Sequence, residues 1–131
     1  MSSRDEVLNY LTSLKLKNFK VSSELPFLPN GTPLHIKNPK TIYVGAEQIS
    51  FEPFIKLFNR TIDQEIVTIA IYLTTDAKQQ PQDYGTTVGR LQAAKEVGSA
   101  KYFDRTSDMT TDYQDDLLIT QIEIRLARVI N

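Results

Sequence analysis

Apolar and polar residues alternate with period two along two long stretches of this chain and follow a helical period along two others. Residues 64–75, QEIVTIAIYLTT, set Val67, Ile69, Ile71 and Leu73 on one face of an extended strand and Ile66, Thr68, Ala70 and Tyr72 on the other. The later stretch LLITQIEIRLARVI points Ile122, Ile124 and Leu126 inward and Gln121, Glu123 and Arg125 outward. Residues 3–15 carry Val7, Leu8, Leu11 and Leu14 on one helical face, with Ser3 as the expected N-cap and Glu6 as its capping-box partner. Asp5 and Glu6 also suit the positive end of the helix dipole. A second helix is expected from Pro81 to about residue 97, burying Tyr84, Val88 and Leu91, with Ala94 or Lys95 continuing that face. Gly85 and Gly89 weaken it, and Gly98 is its stop.

Shorter signals fill the gaps. Phe19 and Val21 alternate as a brief strand, and TIYVG at 41–45 is rich in β-branched and aromatic residues. Residues 46–60 give two readings: Ile49 and Phe51 alternate, whereas Phe54, Ile55, Leu57 and Phe58 follow Pro53 as a helical turn would. An irregular strand is expected near Arg105 to Tyr113. The segment LPFLPNGTPLHIKNPKTIYV, 25–44, holds four of the six prolines and the only histidine. It is too broken for one helix and too apolar for a solvated linker. The helices flank the strands instead of alternating with each one, which predicts an α+β class. The expected architecture is a mostly antiparallel sheet of four or five strands with two helices on one face, in one domain spanning residues 1–131.

Composition narrows the function. A hydrophobic fraction of 40% beside 24% charged residues is a globular balance. A formal charge of −1 argues against a dedicated nucleic-acid binder, which needs a basic surplus. The absence of cysteine removes disulfides and thiolate metal sites. MSSRDEVLNYL carries charges where a signal peptide needs an apolar run, and no window reaches a membrane span, so a soluble, cytosolic chain without membrane contact is expected.

Catalytic constellations are missing. His35 sits between Leu34 and Ile36 with no serine and carboxylate spaced to use it, and reads as a structural or surface residue. The acidic run Asp104, Asp108, Asp112, Asp115 and Asp116 lacks the glycine and terminal glutamate of a calcium loop, and reads as a solvated edge. YGTTVG lacks the lysine of a phosphate loop. No catalytic residue, metal or cofactor is assigned. What is left over is an apolar surplus outside the regular elements: Phe27, Leu28, Leu34, Phe51, Phe54, Ile55 and Phe58. These side chains either fold back on the sheet or meet another subunit.

ELPFLPNGTPLHIKN with KTIYV, the long strand ending in TTDAK, a helix, and TTDYQDDLLITQIEIRL together resemble the tail-terminator proteins of long-tailed bacteriophages, over residues 5 to 128. The resemblance implies a structural, non-enzymatic virion protein of the tail or neck, assembled in the host cytoplasm. Such subunits form a ring, commonly a hexamer, that caps the tail tube, stops its growth and joins the head-completion or connector protein. DNA passes through the lumen without sequence-specific binding. Another neck or head-to-tail joining protein of similar fold is the alternative. On this reading Phe27, Leu28, Leu34, Phe51, Phe54, Phe58, Ile66 and Tyr72 are expected at subunit or ring contacts. Asp112, Asp115 and Asp116 are expected to line the lumen, where carboxylates keep the surface from gripping phosphate.

Overall fold

The computed structural model describes residues 2–26, 39–98, 101–114 and 116–130. Along the chain it gives α1 (Ser3–Ser13), β1 (Lys20–Ser22), β2 (Thr41–Val44), β3 (Gln48–Leu57), β4 (Arg60–Asp76), α2 (Tyr84–Gln92) with a 3-10 turn to Glu96, β5 (Asp104–Gln114) and β6 (Leu117–Ile130). The class is α+β, and the strands form one mostly antiparallel sheet of six strands instead of four or five. The additional strand is β3. It lies within residues 46–60, readable as either strand or helical turn, and the helical turn expected after Pro53 does not form. Alternation prevails because β4 begins at Arg60 and offers β3 a ladder from Gln48↔Thr68 to Leu57↔Arg60.

The sheet order is β1-β2-β4-β6-β5, with β3 also on β4, on the side that β2 occupies. β2 takes the far end of β4, from Thr41↔Thr74 to Val44↔Ile71, and β3 takes the near end. Residues 45–47 bridge them, three residues against two on β4, while the Gly45 amide still reaches the Ala70 carbonyl at 2.8 Å. The result is one long hairpin closed by the Phe58-Asn59 loop, with a bulge midway and a second register shift between Pro53 and Ile55. Pro53 is tolerated because β3 lies on a sheet edge, where a missing amide costs no ladder bond.

One face of the sheet carries the core. Ile42 and Val44, then Val67, Ile69, Ile71 and Leu73, then Ile122, Ile124 and Leu126 meet Val7 and Leu11 of α1 and Val88, Leu91 and Ala94 of the second helical segment. Each strand contributes only one parity, so both helices sit on that face, and among the described residues no helix covers the other.

Local details depart from the sequence reading by a residue or two. The N-cap is Ser2, whose Oγ accepts the Asp5 amide at 3.1 Å. Glu6 instead takes the Lys101 ammonium at 3.2 Å. α2 begins three residues after Pro81, with Asp83 at its N-cap, and tightens into the 3-10 turn before Gly98. Gly98 has φ +58°, a conformation that favours glycine, and a Cβ there would push on the end of the flexible Glu6 side chain, 2.9 Å away. Arg4 ties α1 to the sheet, donating to the Val44 carbonyl at 3.2 Å and the Ser23 carbonyl at 3.0 Å. Tyr84 and Thr120 share a 2.6 Å hydroxyl–hydroxyl bond between α2 and β6.

Candidate functional site

Three surfaces stand apart from the packed body. The first is the arm formed by β3 and the start of β4. All ten residues of β3 are exposed. Of the eleven large apolar side chains left exposed among the described residues, six lie on this arm: Ile49, Phe51, Phe54, Ile55, Leu57 and Phe58. Register divides them between both faces. Ile49 and Phe51 share the helix side with Val67 and Glu65, whereas Ile55 and Leu57 share the other side with Ile62 and Arg60. Phe54, at the bulge, reaches the Phe103 ring at 5.0 Å between centroids. Phe58 at the tip is fully exposed, at 107%. An apolar strand pair exposed on both faces gains nothing for the monomer, because burial is what stabilises such side chains.

The second surface is the sheet face opposite the helices. Asp104, Asp108 and Asp112 are spaced by four along β5, so all three lie on this face, beside Glu123 and Arg125 of β6. Asp108 stands directly across from Glu123. Arg125 approaches Asp104 at 3.8 Å, which leaves the like-charged rung uncompensated by it. Two carboxylates facing each other on neighbouring strands destabilise the ladder. The folded chain has no use for this arrangement. Tyr72 lies on the same face and is half-buried; burial first, and then the Glu123 carboxylate, raise its hydroxyl above the ordinary value of 10.0. Tyr43 is raised likewise by burial and then by Glu24, with a hydrogen bond to Thr41 acting the other way.

The third surface is the pair of sheet ends. The arm tip at Phe58 lies at one end. The β5–β6 turn lies at the other, where Asp112 and Asp116 are exposed and the Asp116 carbonyl accepts the Ala77 amide at 2.8 Å. The first end exposes an aromatic ring and the second exposes aspartates. At the base of the arm, Arg128 binds Glu65 at 3.2 Å, and this bond holds the guanidinium above its usual pKa.

These placements sort the residues singled out from sequence. Phe51, Phe54 and Phe58 come together on the arm. Ile66 does not join them: it is 3% exposed and already buried within the monomer, so it offers little to a contact. Tyr72 lies about mid-strand, away from the arm tip, on the carboxylate face beside Gln121. Asp112 points to that face and Asp116 marks the turn. Phe27, Leu28, Leu34, His35 and Asp115 lie outside the described residues. The sequence reading grouped Asp104 and Asp108 with Asp112 as a solvated acidic edge, without placing Glu123 beside them. The four-residue spacing of the aspartates was the available signal, since any even spacing in a strand keeps one face.

Among the described residues no group of three or more His, Asp or Glu side chains is placed to hold a metal ion. No helix among them is long and apolar enough to cross a membrane. No protein-family model matches the chain, and no curated protein matches it.

Proposed function

We propose that this protein is a structural subunit of a long-tailed phage tail, a tail terminator that assembles into a ring, commonly a hexamer, capping the tail tube. The observation that carries the reading is the β3–β4 arm, an edge hairpin whose apolar side chains are exposed on both faces and whose last rungs, Ile55–Leu57 on Arg60–Ile62, run beyond β6. A chain keeps such an extension where a neighbour buries it. The sequence resemblance supplies the kind of neighbour: further copies of the chain, the tube protein below and a head-completion or connector protein above.

The carboxylate face supports the same reading. A conduit for DNA works best when its wall does not bind phosphate, and on the β5–β6 part of this face Asp104, Asp108, Asp112 and Glu123 outnumber Arg125. In this assignment Asp112 lines the lumen and Asp116 lies at its mouth. The chemically different sheet ends suit a ring with two different partners. No enzymatic step is part of the reading.

The test is electron microscopy of the purified protein, alone and with polymerising tube protein. Closed rings that cap tubes and fix their length are the expected result. Rings that bind the connector yet leave tube growth unchanged would move the protein to a neck or head-to-tail joining role. A monomer that neither caps nor binds either partner would overturn the proposal.

A further inference from the structure

The two edges of the sheet are guarded very differently. Isolated domains blunt exposed edges with short strands, lysine, proline or bulges. The edge made by β1 and β3 has all four: β1 is three residues long and starts at Lys20, and β3 carries Pro53, a register shift and Lys56. β5 is long and lacks lysine, proline and a bulge; its charges are Asp104, Arg105, Asp108 and Asp112. It runs eleven residues, and its ladder to β6 is unbroken from Asp104↔Ala127 to Gln114↔Leu117. Among the described residues β5 pairs on one side only. Residues 108–114 are exposed throughout.

Strand direction says what fits there. β2 and β3 are antiparallel to β4, β4 to β6, and β6 to β5, while β1 is parallel to β2. The β5 edge and the β1–β3 edge therefore run in opposite directions. Copies repeated side by side in one orientation bring β5 against an antiparallel edge, the more stable ladder, with no parallel seam. Charge agrees. β5 carries three aspartates and one arginine, whereas β1 and β3 together carry two lysines and one glutamate. Lys20, Thr41, Thr74, Ile119 and Asp112 form one rung across the whole sheet, with the lysine and the aspartate at its two ends. Pairing β5 with a second β5 would instead crowd six carboxylates onto one face.

We infer that β5 adds, antiparallel, to the β1–β3 edge of a second copy of the chain, so that the sheet runs on from subunit to subunit. This rests on the ring reading above and gives that ring its repeating contact, with the carboxylate face continuous from one subunit to the next. β5 is left long and unbroken because the neighbour occupies it.

The chain contains no cysteine, so introduced pairs are its only thiols. Thr110→Cys combined in turn with Ser22→Cys, Ser50→Cys and Glu52→Cys should give, on oxidation of assembled rings, a ladder of cross-linked oligomers for at least one combination. Single Thr110→Cys should give no cross-linked dimer. A dimer from that single variant, or rings in which none of the three combinations cross-links, would overturn the inference while the ring reading stands. Proline at Thr110 and at Thr111, one at a time, gives a second readout. Adjacent amides in a strand point to opposite edges, so one variant loses only an outward donor. That variant should melt like the parent monomer yet fail to assemble. Full assembly by both variants counts against β5 pairing. If the parent chain forms no closed assembly, alone or on tubes, the ring reading fails and the inference falls with it.

Discussion

β4 is one strand in two environments. From Ile66 to Thr75 nearly every residue is buried or half-buried, between β2 and β6 and beneath both helices. From Arg60 to Thr61 it is exposed and runs out with β3 as the arm. In the arm the ladder continues to Leu57↔Arg60, though on one side of β4 only at the tip and with a register shift at Pro53. What differs is what lies on the two faces. A ladder fixes the shape of a strand pair, and side-chain burial decides whether that shape stabilises the chain or serves something outside it. At about 3.3 Å per residue the seventeen-residue strand spans roughly 56 Å, far more than its own core requires.

This contrast is open to attack from both sides. The largest effect belongs to the body. Ile71→Ala removes a side chain with no solvent exposure and should cost about 2–5 kcal/mol, read as a fall in the urea midpoint at unchanged slope. Alkaline pH comes next. The folded state holds the Tyr43 and Tyr72 hydroxyls above their ordinary value of 10.0, so it favours their neutral form. The stability they contribute is complete below that value and is lost as pH rises through it and above. Melting temperature should fall between about pH 9 and about pH 11, and less steeply in the Tyr43→Phe, Tyr72→Phe double variant.

A smaller change of opposite sign is expected at the carboxylate rung. Asp108→Asn or Glu123→Gln should raise the melting temperature slightly, the two together should add little beyond either alone, and salt should shrink the gain. The arm should show the smallest effect on the folded chain. Phe51→Ser, Ile55→Ser and Phe58→Ser each remove an exposed side chain and should stay within about 0.5 kcal/mol of the parent. The same three together should abolish ring formation in sedimentation. Loss of several kcal/mol from the triple variant would mean the arm belongs to the body after all.

Period and burial made much of this fold legible in the sequence. The faces of β4 and β6 follow from alternation, because a half-buried strand must send alternate side chains to the core. α1 follows from Val7, Leu11 and its acidic first turn. β3 was harder. Its alternation breaks at Pro53, and only the length of β4, a property of a different segment, shows that a partner is needed. Phe51, Phe54 and Phe58 were visible as surplus apolar residues, since no regular pattern absorbed them. Ile66 was not separable from them, because alternation gives a face but not how far that face is covered. The carboxylate surface was obscure for another reason: Asp108 and Glu123 are fifteen positions apart, and only the hairpin register sets them opposite each other.

The two ends of the sheet carry one more consequence. A stack of identical layers continues to grow only when the top of each layer fits the bottom of the next. Here the Phe58 tip offers an exposed aromatic ring and the Asp116 turn a solvated carboxylate, so the two ends differ in chemistry. Under the proposed ring reading, unlike ends favour unlike partners above and below over a second layer of the same subunit. On that reading, a filament that accepted one such layer would lose the surface on which it was growing, and its length would be fixed without any measuring device in the cap.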